Sequence, residues 1–132
     1  MSKFIKRLSK IQNNFDTALV VGSAFGHLED LLLVFNTVFV IANTHPDYRA
    51  KNLVYRNFKS ELNVLPNISV FFIDTEYNSI ISHYTHILTK SKPVLVIGNS
   101  DYLDREHIRP LLNYGYKRVS KQYDYHFWKV NR

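Results

Sequence analysis

The chain has 132 residues, of which 45% are hydrophobic, and it carries a formal net charge of +6 with no cysteine. Length and composition predict one globular domain, spanning residues 1–132, rather than a disordered or fibrous chain. The missing cysteines exclude disulfides and thiolate metal sites. No apolar run is long enough to span a bilayer or to form the core of a secretory signal. We therefore expect a cytoplasmic protein without stable membrane insertion, in the host cytoplasm if the gene is viral.

The positive charge gathers at the two ends of the sequence. A basic balance favours anionic partners such as nucleic acid, a phosphorylated sugar or a membrane surface, although it also serves plain solubility. The sequence leaves both interpretations open. The cations at the ends are Lys3, Lys6, Arg7, Lys10, Lys117, Arg118, Lys121, Lys129 and Arg132.

Residues 1–15 contain a predicted amphipathic helix, over about residues 2–14. Phe4, Ile5, Leu8 and Ile11 recur at helical spacing, with cations between them. Such a helix could lie on an anionic membrane. We favour docking of its apolar face on the helix's own domain, which is the commoner arrangement.

The rest of the chain alternates apolar runs with helical segments. Strands are predicted over residues 17–23, 37–43, 68–73 and 93–98. Helices are predicted over residues 24–35, 46–62 and 75–90, with a fourth, made irregular by Pro110, that ends at Gly115. Residues 116–130 have no helical period and predict a β-hairpin.

This element order indicates an α/β fold. Continuous apolar strands separated by helices are typical of a parallel sheet that is buried on both faces. We expect a three-layer, Rossmann-like sandwich with a mainly parallel sheet and a C-terminal antiparallel hairpin. Right-handed crossovers then place strand 18–22 in the centre, between strands 38–41 and 68–73. Ligands are expected beyond the carboxyl end of that strand.

Two candidate ligand-binding segments follow the first two strands. The first strand leads into its helix through Gly22-Ser23-Ala24-Phe25-Gly26, where glycine allows close backbone approach and the helix start offers N–H donors. The pattern is neither a dinucleotide fingerprint nor a P-loop, so a plain tight turn is the competing interpretation. After the second strand, Asn43 can hydrogen-bond a ribose, and Asp47 could supply the missing charge.

Asp74 and Glu76 follow the third strand. At a strand end, these carboxylates could bind a ligand or accept a proton. Asp74 or Thr75 could equally cap the following helix, with Glu76 favouring the helix dipole. The two roles are compatible.

The histidines predict no metal centre. His83 and His86 have a spacing on the predicted helix that can hold a metal. No third ligand is placed convincingly beside them, so no metal site is expected. His27 and His45 lie near predicted strand ends, where they could line a pocket.

Over about residues 18–129 these motifs resemble the FkbM-type family of S-adenosylmethionine-dependent methyltransferases. The family's Gly-Ala-Asn-Ile-Gly corresponds to residues 22–26, its Glu-Pro-x-Pro to residues 43–46, and its Ile-Asp-x-Glu-Gly to residues 73–77. Its Leu-Leu…Gly-Tyr segment corresponds to residues 111–116. A terminal hairpin is also typical of class I methyltransferases.

The resemblance implies an enzyme that uses S-adenosylmethionine to methylate a hydroxyl of a sugar, glycolipid or similar small acceptor. It implies catalytic roles for Asp74 and Glu76. The implied cofactor-binding residues are Gly22, Ser23, Ala24, Gly26, Asn43 and Asp47.

Departures from the family pattern support a second hypothesis. Asn43 stands where the family has its ribose-binding glutamate, and Tyr77 stands where it has glycine. A strand–helix unit before residues 68–73 is also expected to be missing. The alternative is a catalytically degenerate methyltransferase-like domain that serves as a binding module for nucleic acid or a partner protein. The sequence does not indicate an oligomeric state.

Overall fold

A computed structural model describes residues 3–21, 27–41, 49–56, 67–73, 87–99, 105–122 and 125–130. The three helices are α1 (Lys3–Ile11), α2 (Leu28–Val34) and α3 (Arg105–Asn113), and Ile87–Ser91 forms a π-helical turn. The seven strands are β1 (Thr17–Val21), β2 (Thr37–Ile41), β3 (Leu53–Arg56), β4 (Val70–Ile73), β5 (Leu95–Asn99), β6 (Tyr116–Gln122) and β7 (Tyr125–Val130).

The strands form one seven-stranded sheet in the order β3-β2-β1-β4-β5-β7-β6. The first five strands in this order are parallel, and β7 runs antiparallel to both β5 and β6. Strand β1 lies between β2 and β4, which confirms its predicted central position. The antiparallel C-terminal hairpin is also confirmed.

The apolar runs are explained by burial on both faces of the sheet. Ala18–Val21, Val38–Ile41 and all of β4 are buried. A strand covered on both faces cannot alternate apolar with polar residues, because neither face meets water. The same runs therefore specified both the strands and their parallel arrangement.

Helices cover the two faces of the sheet and complete the three predicted layers. On one face, Leu8 of α1 and Leu31 of α2 share a core with Phe72 of β4. On the other face, Ile87 of the π-helical turn and Leu111 of α3 share a core with β1 and β4. The three-layer α/β sandwich is thereby confirmed.

The N-terminal helix docks on its own domain, as we favoured. Phe4 and Ile5 are 2% exposed and Leu8 is fully buried. The Lys129 ammonium donates to the carbonyl oxygen of Ile11 at 2.7 Å, at the end of α1. A cation there complements the negative end of the helix dipole.

The helix predicted over residues 46–62 is wrong, because Leu53–Arg56 forms strand β3. It pairs in parallel with β2, and the Val38 N–H donates to the Asn52 carbonyl at 2.9 Å. The Asn52 amide donates in turn to the carbonyls of Leu32 and Phe35 at 2.8 and 2.9 Å. Four residues are too few to show a period. The strand thought to be missing is therefore present.

Two features near the C-terminus follow the sequence. Gly115 adopts a φ of +87°, which favours glycine, directly after α3. Pro110 lies inside α3, which runs through it as a helix. Of the helix predicted over residues 75–90, the described part is the π-helical turn. No helix in the described ranges is long and apolar enough to cross a bilayer.

Candidate functional site

The carboxyl ends of the central strands are aligned at one edge of the sheet. Val21 is in register with Ile41 of β2 and with Ile73 of β4, and Ile73 is in register with Gly98 of β5. Because neighbouring strands lie about 4.8 Å apart, the row from Ile41 to Ile73 spans about 10 Å. The chain passes from β1 to β2 on one side and returns to β4 on the other. This reversal is the switch point at which open α/β sheets bind ligands.

The predicted site residues all lie outside the described residues. They fall in residues 22–26, 42–48 and 74–86, which follow Val21, Ile41 and the segment's own start at Ile73 in the sequence. The three segments therefore leave the sheet from adjacent strands and from the same edge. The contacts of the predicted residues stay predictions. These residues are Gly22, Ser23, Ala24, Gly26, Asn43, Asp47, Asp74 and Glu76.

An aromatic cluster packs where the chain enters α2. The His27 ring stacks on Phe4 of α1, with centroids 4.3 Å apart and planes 6° from parallel. Tyr125 meets both rings edge-on, at 6.4 Å from Phe4 and 6.2 Å from His27. His27 also accepts the Leu31 N–H on its carbonyl oxygen at 3.0 Å. This cluster fixes the residue that directly follows the predicted cofactor turn.

His126 is a further polar residue at this edge, and the sequence analysis did not single it out. It is in register with Gly98, at the end of β5. Its Nε2 atom is buried and has no hydrogen-bond partner among the described residues. Burial lowers the pKa of His126 below 6.5, and the charges of Arg118 and Lys121 lower it further. A neutral imidazole at this edge can accept a proton or a hydrogen bond.

The lowered pKa of His126 predicts a pH dependence of stability. Between the folded and unfolded pKa values, the unfolded chain binds more protons, so the free energy of unfolding rises with pH in that window. The contribution is complete above the unfolded pKa of 6.5 and is lost as pH falls through the lower folded pKa. We expect the melting temperature of His126→Gln to fall less than that of wild type between about pH 7.5 and pH 5.

A second variant tests the cause of this shift. Lys121→Gln removes one of the charges that lower the pKa of His126, so its melting temperature should have an intermediate pH dependence. Equal pH dependence in wild type and both variants would contradict the assignment.

Comparisons with known proteins agree with this geometry. No family model matches the sequence, and no curated protein matches it. Similar solved structures include the precorrin-6y C5,15-methyltransferase of Geobacter metallireducens, with a TM-score of 0.66 and 13% identity over 94% of this chain and 85% of that one. The methyltransferase domain of bacterial CtHen1 gives a TM-score of 0.59 and 12% identity, covering 96% of each chain. The fold is that of the class I methyltransferases.

A third structure with this methyltransferase fold shows how far the likeness extends. The ribosomal protein L11 methylase of Lactobacillus delbrueckii gives a TM-score of 0.62 and 10% identity over 97% of this chain and 75% of that one. Its name and that of the precorrin enzyme specify different acceptors. The shared fold therefore does not specify an acceptor.

Proposed function

We propose that the protein transfers a methyl group from S-adenosylmethionine to a hydroxyl of a sugar, glycolipid or similar small acceptor. The observation that carries this proposal is the switch point at β1, flanked by β2 and β4, in a sheet of methyltransferase order. Residues 22–26, 43–47 and 74–76 follow the three strands that meet there. These segments hold the residues that the FkbM-type resemblance assigns to cofactor and acceptor.

The described edge fits such a cofactor in part. Val21, Ile41 and Ile73 are almost fully buried, so the strand ends give a rigid apolar base, while the segments after them carry polar residues. Gly22, Ser23, Ala24 and Gly26 would hold the cofactor at the start of the first helix, and Asn43 with Asp47 would hold its ribose. Bound there, the cofactor supplies an electrophilic methyl group.

The chain's own residues would align the acceptor and remove its proton. Alignment of two reactants lowers the barrier by a proximity effect. Asp74 or Glu76 would take the proton as the acceptor oxygen forms its bond to the methyl carbon. The methyl–sulfur bond breaks in the same step, which leaves a neutral thioether.

Gly26→Val tests the cofactor site. A branched side chain at this position would occupy ligand space and stiffen the turn. We expect calorimetry with S-adenosylmethionine to detect binding to wild type and to find it abolished in Gly26→Val.

A matched control separates this effect from damage to the fold. Leu33→Val introduces the same side chain on α2, at a position that is 84% exposed, and should leave binding unchanged. A folded Gly26→Val variant with wild-type affinity would remove the cofactor site from residues 22–26.

A binding module without catalysis is the second candidate function. Asn43 and Tyr77 in place of the family's glutamate and glycine, together with the charge of +6, support this alternative. It predicts no cofactor binding even at millimolar concentration. Retained binding of an anionic partner would then be the protein's activity.

A further inference from the structure

The positive charge of the protein resides at the two ends of the chain. Residues 1–15 and 116–132 together hold nine Lys or Arg and one Asp, a net charge of +8. Residues 16–115 hold eight Lys or Arg and ten Asp or Glu, a net charge of −2. The charge of +6 is therefore not a uniform property of the surface.

The fold joins the two ends into one surface. The Arg7 guanidinium donates to the Ser120 hydroxyl at 3.1 Å, which connects α1 to β6. The Lys129 ammonium connects β7 to the end of α1. Lys117 is directly opposite Lys129 in the hairpin, so the two side chains share a face of the sheet. We name the cations of this region the basic surface: Lys3, Lys6, Arg7, Lys10, Lys117 and Lys129.

The spacing of these cations works against the stability of the fold. Lys3 and Arg7, like Lys6 and Lys10, lie four residues apart on α1, where like charges cost about 0.2–0.5 kcal/mol per pair. The first turn of α1 has no acidic residue to complement the dipole. Lys117 opposite Lys129 is a further like-charge pair. Cations on edge strand β6 also discourage sheet-to-sheet pairing, but that role does not extend to α1.

We propose that the basic surface binds the phosphate backbone of a nucleic acid. The charged side chains of α1 are exposed and form one stripe with helical spacing. The stripe borders β6, whose seven residues span about 20 Å at roughly 3.3 Å per residue. Such a length covers several phosphates of one strand.

A nucleic acid fits this surface better than a membrane does. An amphipathic helix binds a bilayer by inserting its apolar face. In α1 that face is already used, because Phe4, Ile5 and Leu8 are buried against the sheet. Charge remains available to a partner, and phosphate contacts require only charge.

The basic surface adjoins the candidate site. Lys3 precedes Phe4, and the Phe4 ring stacks on His27, which directly follows residues 22–26. A strand bound along the surface would thus reach the carboxyl edge of the sheet. If the proposed methyl transfer occurs, on which this last step alone rests, the acceptor hydroxyl belongs to the bound nucleic acid.

Direct binding without cofactor tests the surface separately from the methyl transfer. The probes are labelled RNA and DNA strands of about 20 nucleotides, longer than the roughly 4–16 nucleotides that small domains cover. The test variant is Lys6→Glu/Lys10→Glu/Lys117→Glu. We expect its affinity to fall roughly tenfold or more, and the slope of log affinity against log salt to decrease by about three.

A control of equal charge isolates the surface from net charge. Lys51→Glu/Lys90→Glu/Arg109→Glu alters three exposed cations elsewhere and should keep affinity within about threefold, through long-range screening alone. Equal losses in the two triple variants would overturn the proposal. Binding to phosphatidylserine vesicles without binding to either nucleic acid would also overturn it.

Neutral variants cover the case in which charge reversal prevents folding. Lys6→Gln/Lys10→Gln/Lys117→Gln removes like-charge pairs, so its melting temperature should equal or exceed that of wild type. Its affinity for RNA and DNA should still fall. Unchanged affinity in this folded variant would contradict the proposal, whatever the outcome for methyl transfer.

Discussion

Phe4→Ala is expected to lower the free energy of unfolding by about 3–5 kcal/mol, the cost of removing a buried phenyl ring. Phe4 is 2% exposed and stacks on His27. Its ring also lies 5.6 Å from Phe72 of β4 and 6.2 Å from Phe127 of β7. Truncation would therefore remove contacts between α1, the entry to α2 and the sheet. Urea denaturation measures the loss as a lower midpoint with an unchanged slope.

The matched control is truncation of an exposed apolar residue. Leu33 is 84% exposed on α2, so Leu33→Ala should change the free energy of unfolding by no more than about 0.5 kcal/mol. A loss below about 1 kcal/mol in Phe4→Ala would contradict the docking of α1, because it is typical of a surface change.

Asp74→Asn is expected to lower the methyl-transfer rate roughly a hundredfold or more, if Asp74 accepts the acceptor's proton. Asparagine caps a helix about as well as aspartate, so the melting temperature should stay close to that of wild type. The rate is measured with radiolabelled S-adenosylmethionine at saturating cofactor. Rate and stability together thus distinguish catalysis from helix capping.

Glu76→Gln provides the companion measurement. It preserves the shape of the side chain and removes only its charge. Its rate identifies which of the two carboxylates accepts the proton. Full activity and unchanged melting temperature in both variants would assign Asp74 and Glu76 to structure alone.

The parallel core was predictable because burial leaves a strong local pattern. The runs that became β1, β2 and β4 are continuously apolar, and such runs indicate strands covered on both faces. The docking of α1 was predictable from its apolar stripe at helical spacing. Chain order and crossover handedness then placed β1 at the centre.

Features that depend on tertiary contacts were not predictable. Strand β3 has four residues, and only its pairing with β2 distinguishes it from a helical segment. The Phe4–His27 stack joins residues from separate elements, and the proximity of His126 to Gly98 depends on the register of β7. Neither contact leaves a local pattern. The candidate site was located by its position after the strands, whereas its side-chain geometry remains a prediction from the resemblance.

Calorimetric titration of the wild-type protein with S-adenosylmethionine and S-adenosylhomocysteine tests the central proposal most directly. The methyltransferase proposal predicts saturable binding of both compounds at one site, with mid-micromolar or tighter affinity, and its loss in Gly26→Val. Absence of binding at millimolar cofactor, in a protein whose melting curve shows a folded domain, would contradict it.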